Sequence, residues 1–338
     1  MPGAPRHDSH AVPLPRQHYG YRGSMGDIAL LGDGSLLMAY TAGGIAVCRS
    51  ADRGATWGPE ARLFPNPPGQ GYYCHPSFLR LADGQLLVSY IYNAGTTPYY
   101  GHNYYRRSAD DGRTWGEQFV LTPREGYVIV HNAKLRLLSN GRIVAPAEYK
   151  KHRPSEADHS DYATVVFHSD TQGHSWQASA NDVDVLPHEA QEPHIVELRD
   201  GRLLLLFRTY SGCVGRAFST DQGHTWSPGE LMRDWRMSRH SSAVSVDRIP
   251  STGDLLLLRC TGEGGPEGRY RTPLVTAISR DEGETWIHER VLAGEPDDDY
   301  GYQCVAFLDD GVLIGYHARD GLHVAALDVS WLYGQGVT

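Results

Sequence analysis

Ser219-Thr220-Asp221-Gln222-Gly223-His224-Thr225-Trp226 decides how the rest of the chain is read. Ser50 to Trp57, Ser108 to Trp115 and Ser279 to Trp286 repeat its pattern, Ser-x-Asp-x-Gly-x-Thr-Trp. A weaker copy, Ser169 to Trp176, carries Thr171 in place of the Asp and Ser175 in place of the Thr. The pattern has the chemistry of a tight turn joining two strands. The carboxylate accepts hydrogen bonds from the turn's own amides, Gly supplies the positive φ, and Trp leaves the turn as a large apolar anchor. One octet of this kind is compatible with chance, whereas recurrence along the whole chain marks an internal repeat.

Each octet is preceded by two apolar runs flanking a glycine turn. The turns are Asp33-Gly34, Asp83-Gly84, Asn140-Gly141, Asp200-Gly201, Thr252-Gly253 and Asp310-Gly311, at intervals of 50 to 60 residues. Asx-Gly between runs such as Phe78-Leu79-Arg80-Leu81 and Leu86-Leu87-Val88-Ser89-Tyr90 signals a hairpin. A hairpin, a third strand, an octet and a fourth strand make one blade, so the expected fold is all-β, a six-bladed β-propeller of four-stranded antiparallel blades. The last hairpin leads into Leu322 to Leu327 with no octet, which predicts ring closure by an N-terminal strand. No amphipathic helix pattern of useful length appears. Residues 1–17 read as an N-terminal lead-in and 18–338 as a single propeller domain.

The chain has 338 residues and a formal net charge of −9, with no run of like charge. That balance argues against nucleic-acid or membrane-surface partners and requires a local basic pocket for any acidic ligand. Cys48, Cys74, Cys213, Cys260 and Cys304 are odd in number and lack paired metal-ligand spacing, so reduced, mostly buried thiols are expected. No segment is long and apolar enough to span a bilayer, and Met1 to Gln17 lacks the apolar stretch of a secretion signal. A cytoplasmic location is expected, with secretion left open. No metal motif, phosphate loop or dinucleotide fingerprint is visible, so neither cofactor nor metal is inferred, and the oligomeric state stays open.

Nine residues before the hairpin glycines stand His75, Asn132, Glu192 and Tyr302, with Met25 in the first blade and the His240 to Ser242 region in the longer fifth. Innermost strands converge on a propeller axis, and polar groups gathered there point to a site, because burying them without partners is costly. Seven residues after the same glycine stand Glu148 and Arg208, and Arg271 opens the third strand of the fifth blade. A Glu, two Arg and a Tyr at one level suit an anionic ligand whose carboxylate is gripped by Arg forks. A lone Arg there would read as a solvated strand end, and agreement across blades is what favours the site. Most of the 17 His are surface or packing residues, and His75 and His131 are singled out by register alone. Tyr72-Tyr73 and Tyr104-Tyr105 read as blade packing or as sugar-stacking platforms.

Over nearly its whole length the chain resembles the sialidase superfamily, the proteins of the Asp box or BNR repeat. Gln191 to Gly201, followed by Arg208 and the octet at Ser219, is similar to the sialidase stretch that carries the activating Glu and the second Arg of an arginine triad. Arg271 resembles the third Arg, and Tyr302 has the spacing of the catalytic Tyr. The resemblance implies Tyr302 as nucleophile and Glu192 as its base. A phenol suits that role, because the reacting carbon bears a carboxylate that would repel an anionic nucleophile. The chain departs from the pattern at two points. Tyr21 to Asp27 has no Arg-Ile-Pro and carries Arg22 about two positions away, and Tyr40 to Val47 has no carboxylate for the usual acid/base Asp. Asp27, Glu148, His131 and His75 are the residues able to replace that acid, and Arg22, Asn132 and His240 complete the candidate binding set.

Three functions remain open at this stage. The first is an exo-acting hydrolase that removes a terminal acidic sugar from a glycan with retention. The second is a polysaccharide lyase acting by β-elimination at a uronate, with Tyr302 or a His taking the proton. The third is a propeller that binds glycans without catalysis, since fold alone does not settle function.

Overall fold

The computed structural model describes residues 25–69, 71–95, 100–151, 162–237, 243–262, 271–309 and 311–334, together with the backbone of 9–15. Arg22, the His240 to Ser242 region and Asp310 lie outside the described residues. Six antiparallel sheets follow one another as the blades of a six-bladed β-propeller. Blade 1 runs Gly26–Leu30, Leu36–Thr41, Gly44–Ser50 and Ala61–Pro65, from the axis outward. Blade 2 runs Tyr72–Arg80, Leu86–Asn93, Gly101–Ser108 and Phe119–Val120. In blade 3 the innermost position is split into Val128–Ile129 and Arg136–Leu137, both paired with Ile143–Lys150, and Tyr162–Ser169 and Gln177–Ala178 follow.

Blade 4 consists of Gln191–Glu197, Leu203–Arg208, Cys213–Ser219 and Glu230–Arg236, and blade 5 of Ser245–Arg248, Leu255–Cys260, Leu274–Ser279 and Ile287–Ala293. Blade 6 takes Gly301–Phe307, Gly311–Ala318 and Gly321–Asp328 from the C-terminal end and Ser9–Pro15 from the N-terminal end. The ring therefore closes through an N-terminal strand, and that strand falls inside the stretch read as a lead-in. A single helical turn, Val329–Leu332, follows the last strand and packs Leu332 into the interface of blades 5 and 6.

The octets are the turns between third and fourth strands. In the first, Asp52 Oδ1 accepts from Ser50 Oγ at 2.8 Å and from the Thr56 amide at 2.9 Å, and Thr56 Oγ1 donates to Asp52 Oδ2 at 2.5 Å. Gly54 has φ of 87° and its amide donates to Ser50 Oγ, so a side chain there would be strained. In the weaker copy Thr171 Oγ1 takes the carboxylate's place, accepting from the Ser175 amide at 2.9 Å. The octet tryptophans wedge between blades, with Trp226 and Trp286 buried. Residues just before the octet glycines also reach the preceding blade. Asp111 accepts from the Gly32 amide, Gln172 from the Ala82 amide and Glu282 from the Arg199 amide. Apolar second and third strands fill the space between blades, and all five cysteines are buried and outside any disulfide.

Candidate active site

The innermost strands of blades 2, 4 and 6 share a local irregularity. Pairing with the second strand slips between Cys74 and Ser77, between Gln191 and His194, and between Gly301 and Cys304. The residue within each slip has left-handed backbone: His75 at φ 52°, Glu192 at 48° and Tyr302 at 52°. These bulges re-aim three side chains that a regular strand would leave alternating, and they cluster at one mouth of the axis.

There the Tyr302 hydroxyl donates to Glu192 Oε1 at 3.0 Å, and Arg208 Nη1 donates to the same oxygen at 3.3 Å. Arg208 Nη2 also reaches the Tyr210 hydroxyl at 3.2 Å. The Arg271 guanidinium lies 5.4 Å from the centre of the Tyr302 ring, with Asp299 Oδ1 3.8 Å from its Nε. Tyr302, Glu192, Arg208 and Arg271 are all buried. Burial opposes ionisation of Glu192, but Arg208, His131 and Arg271 outweigh it and hold the carboxyl well below its usual range. Glu192 is therefore charged near neutral pH and accepts the hydrogen bond of the phenol as a carboxylate.

A second chain of polar groups borders this cluster. Glu148 Oε2 accepts from the Glu192 amide at 2.8 Å, and its Oε1 lies 3.2 Å from His131 Nε2. The Nδ1 atoms of His131 and His75 are 3.1 Å apart, so one proton is shared between them. Both imidazoles lie against the Tyr302 ring, with centroids at 6.1 Å and 5.9 Å. Burial and then the charge of His131 push His75 down to about 3, so His75 is neutral near pH 7.

Asn132 and Asp27 take other roles. Asn132 Nδ2 donates to the carbonyls of Gly26 at 2.9 Å and Tyr302 at 3.0 Å, bracing the backbone of blades 1 and 6 under the site. Asp27 is not brought into the cluster: its oxygens accept from the amides of Ile28 and Phe78, and it faces a cavity toward the other end of the axis. The innermost pair of strands in blade 1 lacks a bulge, Met25 stands at the site level, and Asp27 lies two residues deeper. Tyr73 packs among Tyr90, Tyr92 and Tyr104, while Tyr105 is buried against Phe119 and Trp176. Sequence reasoning missed Tyr210 and Asp299. The run Asp297-Asp298-Asp299 directly before the Tyr302 strand was the available signal for the latter. Among the described residues no cluster of His, Cys, Asp and Glu is built to hold a metal, and no helix is long and apolar enough to cross a membrane.

Known proteins share this architecture. The chain is 24% identical over 318 residues to a sialidase of Micromonospora viridifaciens, covering 85% of this chain and 46% of that protein. It is 25% identical over 212 residues to a sialidase of Bacteroides fragilis, covering 60% and 37%. It thus spans less than half the length of either relative. The fold superposes with a TM-score of 0.73 on an intramolecular trans-sialidase from Ruminococcus gnavus solved with oseltamivir carboxylate, at 16% identity over 99% of this chain and all of that one. The profile of the family described as BNR repeat-like domain matches residues 41–314. This six-bladed propeller of the sialidase superfamily belongs to the BNR repeat-like domain family.

Proposed function

We propose that the chain is an exo-acting glycoside hydrolase of sialidase type that releases a terminal acidic sugar from a glycan. The observation that carries this reading is the single oxygen, Glu192 Oε1, that receives both the Tyr302 hydroxyl and Arg208. Tyr302 attacks the anomeric carbon while its phenolic proton passes to Glu192, and the departing glycosidic oxygen takes a proton from the His75–His131 pair. Water then opens the tyrosyl–sugar bond, giving its proton back to the imidazole pair as Glu192 returns one to Tyr302. Arg208 and Arg271 hold the sugar's carboxylate, which keeps the anion beside a neutral nucleophile. Glu148 Oε1, 3.2 Å from His131 Nε2, orients the imidazole, and the His pair takes the part of the acid that Tyr40 to Val47 does not supply.

Incubation with aryl glycosides of sialic acids, followed by aglycone release, tests the reading, with Tyr302→Phe as control. Release by the wild type and not by the variant supports it. Ultraviolet-absorbing unsaturated product from uronate polysaccharides, without aglycone release, replaces hydrolysis by elimination. Silence with both substrate panels rejects the catalytic reading for these sugars.

A further inference from the structure

Below the Tyr302 centre the axis is closed by a polar floor. Asn132 spans from blade 3 to blades 1 and 6, and beneath it the buried Lys134 reaches the Val244 carbonyl at 2.9 Å and His194 Nδ1 at 3.3 Å. Past this floor the channel widens into a cavity of about 360 Å³ on the side of the hairpin turns. Leu30, 44% exposed, and Arg80 stand at its rim.

We infer that this cavity is a second ligand site, separate from the Tyr302 centre, for an uncharged polyhydroxylated molecule the size of a monosaccharide. Its volume lies at the lower end of small-molecule sites, which run from roughly 300 to 1,000 Å³. Gln303, 1% exposed, lines it, and Gln303 Nε2 has no hydrogen-bond partner among the described residues. Nε2 itself is fully buried, and a turn of the side chain toward a ligand oxygen in the cavity would satisfy that donor.

The wall carries one ion pair and one further carboxyl, Asp27, which accepts from the amides of Ile28 and Phe78 and is pushed up to about 7 by burial. Arg136 Nη2 lies 2.5 Å from Asp247 Oδ1, and Arg136 Nη1 donates to the carbonyls of Ala133 and Leu135. An anion entering the cavity would leave one charge without a counter-charge, whereas hydroxyl groups both donate to Asp247 and accept from Gln303. Phe78 and Phe307 supply apolar wall for the C–H face of a sugar ring. The two compartments draw on the same strands, Tyr72–Arg80, Gln191–Glu197 and Gly301–Phe307, each giving its bulged residue to the Tyr302 centre and later residues, Phe78, His194 and Gln303 among them, to the cavity.

The test is saturation-transfer NMR and calorimetry on the full chain with glucose, galactose, mannose, N-acetylglucosamine, fucose and rhamnose, with phosphate and glucuronate as charged probes. At least one neutral sugar is expected to bind saturably. Gln303→Leu should weaken that binding at least tenfold and Val305→Phe, which fills the cavity, should remove it, while Tyr302→Phe leaves it unchanged. Melting curves confirm that each variant is folded, and if Val305→Phe is not, Gln303→Leu carries the comparison. The inference is overturned if no neutral sugar binds, if only the charged probes bind, if Gln303→Leu leaves binding intact, or if binding disappears in Tyr302→Phe.

Discussion

His75, Glu192 and Tyr302 hold a backbone conformation that costs non-glycine residues on the order of 1–3 kcal/mol each, and three such positions converge on one mouth of the axis. Their common register was legible in the sequence, because a hairpin glycine is a fixed point from which inner-strand positions can be counted. The bulges were not legible, since spacing does not reveal which strand slips against its neighbour. Asp27 shows the difference: its strand pairs without a slip, so it sits about 6–7 Å further along the axis than Met25 and misses the cluster. Tyr302→Phe is expected to lower aglycone release by about 10³-fold or more with an unchanged melting curve, since it removes only the attacking oxygen. For His131→Asn the loss should depend on the leaving group. An alkyl or sugar aglycone should slow by about 10²–10⁴-fold, and a p-nitrophenyl aglycone, which departs with little protonation, much less. Equal losses for both aglycones would remove His131 as proton source.

The octet turns were the most legible elements, because each is a local circuit of Ser, Asp, Gly and Thr that needs no distant partner. The copy at Ser169 is informative because a hydroxyl there does part of a carboxylate's work. Thr171→Asp should raise the unfolding midpoint, the added charge-assisted bonds contributing about 1 kcal/mol to the unfolding free energy. No change on differential scanning calorimetry would show that the hydroxyl circuit is already sufficient. The carboxylates also set an acid limit. The hydroxyl and amide of Thr56 and then Ser50 hold Asp52 down at about 2 from the ordinary 3.8. Asp221 and Asp281 are lowered too: burial opposes this, but Thr225 and Thr285 prevail. A depressed folded-state pKa adds stability above pH 4 that is lost as the pH falls toward 2. Urea midpoints should therefore drop over that window, and the drop should be smaller in a variant with Asp52 and Asp110 changed to Asn.

At the scale of the molecule, six repeats predicted the ring and the missing sixth octet predicted how it closes. What sequence could not supply was the interior of the axis, where neighbours such as Lys134 and Val244 are 110 positions apart and meet only once the ring is formed. Removing residues 1–15 should leave Gly321–Asp328 with an unpaired edge, lowering the melting temperature and promoting association in size-exclusion chromatography. Asn132 adds a consequence for the order in which the protein fails. One side-chain amide ties the carbonyl of Tyr302, the proposed nucleophile, to that of Gly26, so it spans the seam where the first and last blades meet. Slackening of that seam would shift the phenol before any blade melts. In a urea titration, activity should therefore vanish at concentrations where fluorescence still reports an intact propeller, and the gap between the two curves would measure the strength of the ring's own clasp.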